Sequence, residues 1–88
     1  MAIKVNARKV NVTAEIENGV IIADIVTSGD TYAGIENGNV FGLDGNQIAS
    51  FYQTGGEFSL YFYSGADRPA IFAAIEGFVA EAMEAFPG

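Results

Sequence analysis

The chain has 88 residues, half of them hydrophobic, and a formal net charge of −7. This length allows one domain, residues 1–88, with a core of modest size. The sequence contains neither cysteine nor histidine, which excludes disulfides and a Cys/His zinc site, so a domain this small needs another source of stability.

The charges are unevenly distributed along the chain. Lys4, Arg8 and Lys9 lie in the first nine residues, and Arg68 is the only later basic residue, against eleven acids in all. Proteins that bind the phosphate backbone need clustered Lys and Arg, so we expect no direct nucleic-acid binding. The surplus of acids favours solubility, and it would also suit docking on a basic partner.

Neither end of the chain has the pattern of a targeting or membrane segment. Residues 1–9 contain no apolar run after the first charges, and the apolar stretch 70–86 is interrupted by Glu76, Glu81 and Glu84. A membrane-spanning helix needs about 20 predominantly apolar residues. We therefore expect a cytoplasmic protein with no membrane association, located in the host cytoplasm if the source is a virus.

Turn signals divide the first two thirds of the chain into short segments. Asn-Gly and Asp-Gly pairs supply the positive φ angles of tight hairpin turns. Such signals lie at Asn18-Gly19, Ser28-Gly29-Asp30, Asn37-Gly38, Asp44-Gly45 and Gly55-Gly56. The intervening segments predict strands at about 10–17, 20–27, 31–36, 39–43, 47–53 and 57–63, and a further short strand at 3–5 fits the pattern. Because the links are too short for helical crossovers, we predict an antiparallel β-meander of five to six strands over about 10–63.

Hairpin register assigns each side chain to one of two sheet faces. A two-residue turn at Asn18-Gly19 would pair Glu17 with Val20 and Ile16 with Ile21. Extended through the sheet, this register gives an apolar face, here called face one, with Val10, Val12, Ala14, Ile16, Ile21, Ala23, Ile25, Ile35, Val40, Ala49, Phe51, Phe58, Leu60 and Phe62. The opposite side, face two, would carry Tyr32, Phe41, Leu43, Ile48, Tyr52, Tyr61 and Tyr63 beside the polar residues of the first hairpin.

A change of hydrophobic period after Tyr63 predicts one helix at about 68–86. Asp67 is a suitable N-cap and Pro69 suits the first helical turn. The apolar positions follow one helical face, namely Ile71, Phe72, Ile75, Phe78, Val79, Ala82, Met83 and Phe86. The sequence thus predicts an α+β domain whose C-terminal amphipathic helix packs across face one, with Phe72 and Phe78 deeply buried.

One helix is too narrow to cover such a sheet. A helix is about 10 Å across, whereas six strands span roughly 24 Å. Face two would have no cover from the chain itself, although tyrosine, phenylalanine, leucine and isoleucine lie on it. Exposed apolar patches of this kind mark interaction sites, and tyrosine is well suited to them.

Catalytic chemistry has little support in the sequence. Without His and Cys, the common neutral-pH base and the strongest nucleophile are missing. Glu15 and Asp24 could approach each other across the first hairpin, but we interpret them as surface charges. The glycines form no phosphate loop, and Asp44-Gly45-Asn46 lacks the remaining ligands of a calcium loop. We expect no enzyme activity, no cofactor and no metal.

The leading hypothesis is therefore a non-enzymatic protein-interaction domain, a homodimer that associates through the tyrosine-rich face two. A second hypothesis is a small acidic inhibitor or nucleic-acid mimic, of the type made by viruses and mobile elements, that uses Glu76, Glu81 and Glu84 against a basic groove on a host protein. A third is a small-ligand binder or minor enzyme with a pocket between sheet and helix.

Overall fold

The computed structural model describes residues 8–17, 19–63 and 67–87. Five strands are followed by one helix: β1 Arg8–Ile16, β2 Gly19–Ser28, β3 Thr31–Gly42, β4 Gln47–Thr54, β5 Glu57–Phe62 and α1 Arg68–Ala85. The strands form one antiparallel sheet in the order β1-β2-β3-β4-β5. The predicted α+β meander with a C-terminal helix is confirmed, whereas the predicted strand at 3–5 lies outside the described residues.

The first hairpin has a different register from the predicted one. Ile16 pairs with Gly19 and Ala14 with Ile21, two residues away from the expected alignment. Gly19 is the first residue of β2, with a φ of 150°. β3 passes so close to it that a Cβ atom there would lie 1.9 Å from the carbonyl oxygen of Phe41, so the position requires glycine. Since the shift is an even number of residues, every side chain of this hairpin stays on its predicted face.

The predicted turn at Asn37-Gly38 is wrong, and the two strands expected on either side of it are the single strand β3. A type I′ turn needs positive φ at both central residues, but only Asn37 has it, at 52°. The pairing of β3 shifts by one residue at this point, which is a β-bulge. Gly38 instead makes room for an aromatic ring, because a Cβ atom there would lie 2.8 Å from ring carbons of Phe51.

The core lies between face one and the helix. Its buried side chains come from β2, β3, β4 and α1, and they are Ile21, Ala23, Ile25, Ile35, Val40, Ala49, Phe51, Ile71, Ile75, Phe78 and Ala82. The four helical members are spaced i, i+4, i+7 and i+11, which places them on one helical face. Face one is therefore confirmed as the side of the sheet on which the helix packs.

Both ends of α1 are fixed by specific hydrogen bonds. The Asp67 carboxylate accepts from the backbone N–H of Ala70 at 3.4 Å, which confirms Asp67 as the N-cap. At the other end, the carbonyl of Phe86 accepts from the N–H of Tyr32 at 3.0 Å, and Pro87 bridges to Thr31. These contacts hold the C-terminal end of the helix at the start of β3.

The helix covers only part of face one. It is about 27 Å long and 10 Å across, and the five strands span roughly 19 Å from β1 to β5. Phe78 is buried as predicted, but Phe72 is 44% exposed, so its predicted burial is wrong. The reason is its position one residue, or about 100°, around the helix from Ile71. Within the described parts of the chain, no helix has the length and apolarity required to cross a membrane.

Candidate interaction surface

The exposed tyrosines form a contiguous group on the β4–β5 half of face two. Tyr52, Tyr61 and Tyr63 are 45%, 62% and 40% exposed, and we call these three residues the tyrosine patch. Tyr52 lies opposite Ser59 and Tyr61 opposite Ser50, so the two tyrosines are diagonal neighbours across the strand pair. The rings of Tyr61 and Tyr63 meet edge to face, with centroids 4.9 Å apart. The structure therefore places these three predicted residues together.

Phe41 is also on face two, as predicted. It is half-buried, and it pairs with Val20 of β2 and with Gln47 of β4. It therefore lies near the middle of the sheet, where neighbouring side chains shield part of its ring.

The predicted position of Tyr32 on face two is wrong. The pairing of β2 with β3 shifts by one residue near Val26, and Tyr32 consequently pairs with the buried Thr27 on face one. Its hydroxyl donates to Oε1 of Gln53. Burial raises the pKa of this tyrosine above its usual value. Tyr32 is therefore a structural residue beneath the helix terminus.

Leu43 and Ile48 are likewise outside the tyrosine patch. Leu43 is 85% exposed in the turn between β3 and β4, where Asp44 accepts two hydrogen bonds from Asn46, both at 3.0 Å. Ile48 is the extra residue of a bulge between the Val40 and Phe41 pairings, and it packs against the core. Single-residue bulges invert the alternation on which the sequence assignment relied.

The β1–β3 half of face two is a polar network that sequence reasoning missed. The Asp24 carboxylate accepts from Asn11 at 2.8 Å and from Asn37 at 3.2 Å, and these hydrogen bonds lower its pKa. Beside them Lys9 bonds Glu36 at 2.5 Å, which raises the pKa of the lysine. Polar residues at alternate positions of β1 indicate the network in the sequence. The participation of Asn37 could not be read from the sequence, because it depends on the bulge in β3.

The carboxylate pair that the sequence suggested does not form. Glu15 pairs with Val20, four residues along β2 from Asp24, which corresponds to roughly 13 Å. Among the described residues, no three acidic side chains are placed to hold a metal ion.

A shallow hollow of about 370 Å³ separates the polar network from the tyrosine patch. Its walls include Asn39, Ser50, Tyr52, Ser59 and Tyr61. The Phe51 ring also lines it, so the hollow has mixed polar and aromatic walls and is open, unlike the enclosed apolar pockets that small ligands usually occupy.

A second, apolar groove of about 330 Å³ runs between α1 and β5 on face one. Phe58, Phe72 and Met83 line it and are 42%, 44% and 47% exposed, and Val79 and Glu76 complete the helical side. We call it the flank groove. The sequence indicates this groove through a second row of helical residues beside the buried row. The row consists of positions 72, 76, 79 and 83, of which all but Glu76 are apolar.

The three helical acids are all exposed, but they do not form one cluster. Glu76 borders the flank groove, whereas Glu81 lies on the other side of the helix, near Ala14 and Phe78. Glu84 lies between them on the outer side of the helix, about 60° around the axis from Glu81 and about 80° from Glu76. The acids of the inhibitor hypothesis are thus spread over an arc of about 140° on the outer side of the helix.

Comparisons with protein-family models, with curated proteins and with solved structures find no match to this chain.

Proposed function

We propose that this chain is a non-enzymatic protein-interaction domain that associates with a second copy of itself through the aromatic half of its sheet. The observation that carries the proposal is the tyrosine patch, in which three neighbouring aromatic side chains on one face are each at least 40% exposed. Tyrosine combines a large apolar surface with a polar tip, and it is enriched in the cores of protein interfaces.

The contrast between the two halves of face two supports this location. On the β1–β3 half, Lys9, Asn11 and Asn37 bond to acidic side chains of the same face. A contact made there would have to displace these bonds. On the β4–β5 half the exposed groups include three tyrosine rings, with Thr54 and Glu57 confined to the hairpin end. Burying the rings releases water from apolar surface at little conformational cost.

The incomplete cover of face one gives a second reason for association. A domain of 88 residues without disulfides has a limited core, and α1 leaves Val10 and Phe58 at opposite edges of face one exposed by 38% and 42%. A two-fold dimer is the commonest arrangement in which one surface covers its own copy.

The test is the mass of the protein in solution. Sedimentation equilibrium should report an average mass that rises from the monomer mass of 9.3 kDa towards twice that value as the protein concentration is raised through the micromolar range. Tyr61→Glu should give a folded monomer, because it places an unpaired charge in the contact. Thr13→Glu, a matched change on the polar half, should leave the dimer intact. A wild-type protein that remains monomeric throughout the concentration series would refute the proposal.

The other hypotheses receive less support from the geometry. The helical acids are spread over about 140° around α1, so a groove would have to wrap around the helix to meet all three. The space between helix and sheet is filled by core side chains such as Ile71, Ile75 and Phe78. If the protein proves monomeric, loss of a native partner on changing Glu76, Glu81 and Glu84 together to Gln would favour the acidic inhibitor.

A further inference from the structure

The outer edge of β5 has an ordered row of unpaired backbone groups. The N–H of Tyr63 donates to the carbonyl of Ile48 at 3.0 Å, which marks these residues as a hydrogen-bonded pair. Because such pairs recur at every second residue of an antiparallel ladder, Ser59 and Tyr61 also direct their backbone groups towards β4. The N–H and C=O groups of Phe58, Leu60 and Phe62 therefore point away from the sheet, and nothing in the described ranges pairs with them.

This edge lacks the features that usually prevent strand addition. Edge strands are normally protected by lysine, proline, bulges or inward-pointing charges. β5 carries one charge, Glu57 at its first residue, and its pairing with β4 is regular throughout. The opposite edge strand, β1, carries Arg8, Lys9 and Glu15. The two edges of the sheet therefore differ, and β5 is the one open to pairing.

We propose that a second copy of this chain pairs with β5 antiparallel to itself, so that the two sheets become one sheet of ten strands. This inference rests on the self-association proposed above and specifies its geometry. Placing the two-fold axis at Leu60 opposes each Phe58 to Phe62 of the second copy. In this register the three outward-pointing residues of each strand all meet outward-pointing residues of the other copy, which gives six hydrogen bonds, two for each opposed pair.

The side chains next to this edge suit a copy of themselves. Phe58 lies on face one, and Tyr61 and Tyr63 lie on face two, so aromatic surface is exposed on both sides of the strand. A full aromatic side chain has about 200 Å² of surface, so the exposed fractions of Phe58, Tyr61 and Tyr63 together leave roughly 300 Å² of exposed aromatic surface on each copy. The backbone edge of β5, about 20 Å long, adds further buried surface. The total area buried by two copies therefore approaches the ~1,000 Å² at which specific interfaces begin. The expected dimer is therefore of modest, micromolar affinity.

The antiparallel arrangement keeps the two Glu57 carboxylates at opposite ends of the contact. The guanidinium of Arg68 lies 5.6 Å from the centre of the Phe62 ring, at the end of the strand, and Glu57 is at its beginning. Antiparallel pairing brings the Glu57 end of one copy beside the Arg68 end of the second copy. Glu57 lies on face two and Arg68 over Phe62 on face one, so like charges are separated and no ion pair is required. It also sets the flank grooves of the two copies on the same side of the joined sheet, where Phe58 and Phe72 from both line one trough.

Hydrogen exchange of the wild-type protein tests the edge directly. The amides of Phe58, Leu60 and Phe62 should exchange at least tenfold more slowly at concentrations where the dimer is populated than in dilute solution. The amides of Ser59 and Tyr61, which bond β4, provide the internal control and should be protected in both. A dimer whose Leu60 amide exchanges as fast as in the monomer would overturn edge pairing and leave the proposed self-association standing. A protein that is monomeric at every concentration would overturn both.

A backbone variant provides a second measurement. Leu60→Pro removes an outward N–H, which an edge strand tolerates, and it also replaces a leucine that packs against the core. Leu60→Ala is the matched control because it shortens the same side chain and keeps the N–H. We expect Leu60→Pro to weaken the dimer at least tenfold more than Leu60→Ala. Equal affinities for the two variants would contradict the proposal. If Leu60→Pro does not fold, the exchange of the wild-type amides decides the question.

Discussion

Asn37 holds a left-handed backbone conformation inside β3, with a φ of 52°, while its side-chain amide donates to Asp24 at 3.2 Å. A residue with a Cβ atom pays about 1–2 kcal/mol for this conformation. Asparagine tolerates it better than most residues because its short polar side chain can bond locally, and glycine adopts it freely.

These two functions of Asn37 can be separated by substitution. Asn37→Ala removes both the hydrogen bond and the tolerance for positive φ, and should lower the free energy of unfolding by about 1–2 kcal/mol. Asn37→Gly removes only the hydrogen bond and should cost less. Urea unfolding at a fixed protein concentration measures both variants. If alanine were tolerated as well as glycine, the bulge would not depend on the conformation of this residue.

Tyr32 links alkaline stability to the packing of the helix terminus. Burial raises its pKa above that of an unfolded tyrosine, which is about 10. The folded protein then keeps the proton after the unfolded chain has lost it, so this contribution to stability is complete below pH about 10 and is lost as the pH rises through the folded pKa.

The expected result is a difference in slope between two proteins. Wild-type stability should decline more steeply above pH about 10 than that of Tyr32→Phe, which has no hydroxyl to ionise at this position. At neutral pH the variant should be about 1 kcal/mol less stable, because Oε1 of Gln53 loses its donor. Urea unfolding across this pH range provides the comparison. Parallel curves would show that the Tyr32 hydroxyl ionises equally readily in both states.

At the scale of the helix, the difference between Phe78 and Phe72 shows which helical face packs on the sheet. Phe78 is 7% exposed and meets Phe51 edge to face at 6.1 Å, whereas Phe72 is 44% exposed in the flank groove. We expect Phe78→Ala to cost about 3–5 kcal/mol, because it leaves a cavity in the core. Phe72→Ala should cost about 1 kcal/mol or less. Thermal or urea unfolding distinguishes the two, and similar losses would mean that the helix is rotated.

The helix and face one could be predicted because their signals are repeated many times. Ile71, Ile75, Phe78 and Ala82 recur with the helical period, and Asp67 marks the start. In β2, Ile21, Ala23 and Ile25 alternate regularly and are all buried. A two-residue error in the turn does not disturb such a pattern, because an even shift preserves the face.

The positions of Tyr32, Ile48 and Asn37 could not be predicted, for one physical reason. Each lies at or beside a bulge, where a single extra residue reverses the alternation of the strand. An Asn-Gly pair tolerates positive φ, which a hairpin turn and a bulge with a left-handed residue both require. Pairing on both sides of β3 decides between them, and that pairing depends on strands distant in the sequence.

At the scale of the whole molecule, net charge and aromatic contact act against each other in the proposed self-association. The described domain is elongated, with extents of 52 × 21 × 19 Å, and its long dimension exceeds the width of five strands, so an edge contact at β5 would join the copies along their long sides. Each copy carries a net charge of −7, and a dimer would therefore carry twice that, −14. This repulsion would oppose association at long range, while the proposed aromatic contact at the edge would favour it at short range.

Salt therefore has opposite effects on the two main hypotheses. Raising the ionic strength from about 0.1 M to 1 M shortens the Debye length from about 10 Å to 3 Å. The repulsion between two acidic copies is then screened, and the aromatic contact remains. Glu57 and Arg68 of the second copy lie on opposite faces of the joined sheet and add no attraction that salt would screen. An acidic surface bound to a basic groove would instead lose its attraction.

We therefore expect the dissociation constant of the dimer to fall severalfold as salt is added, which sedimentation equilibrium can measure. Changing Glu76, Glu81 and Glu84 together to Gln removes three negative charges from each copy, so its net charge changes from −7 to −4. The variant should dimerise more tightly at low salt and respond less to added salt, while its stability changes little because all three side chains are exposed. The opposite result would be a wild-type dimer that weakens steeply as salt is added. In that case attraction between opposite charges would hold the copies together, and the aromatic half of the sheet would not be the source of the binding energy.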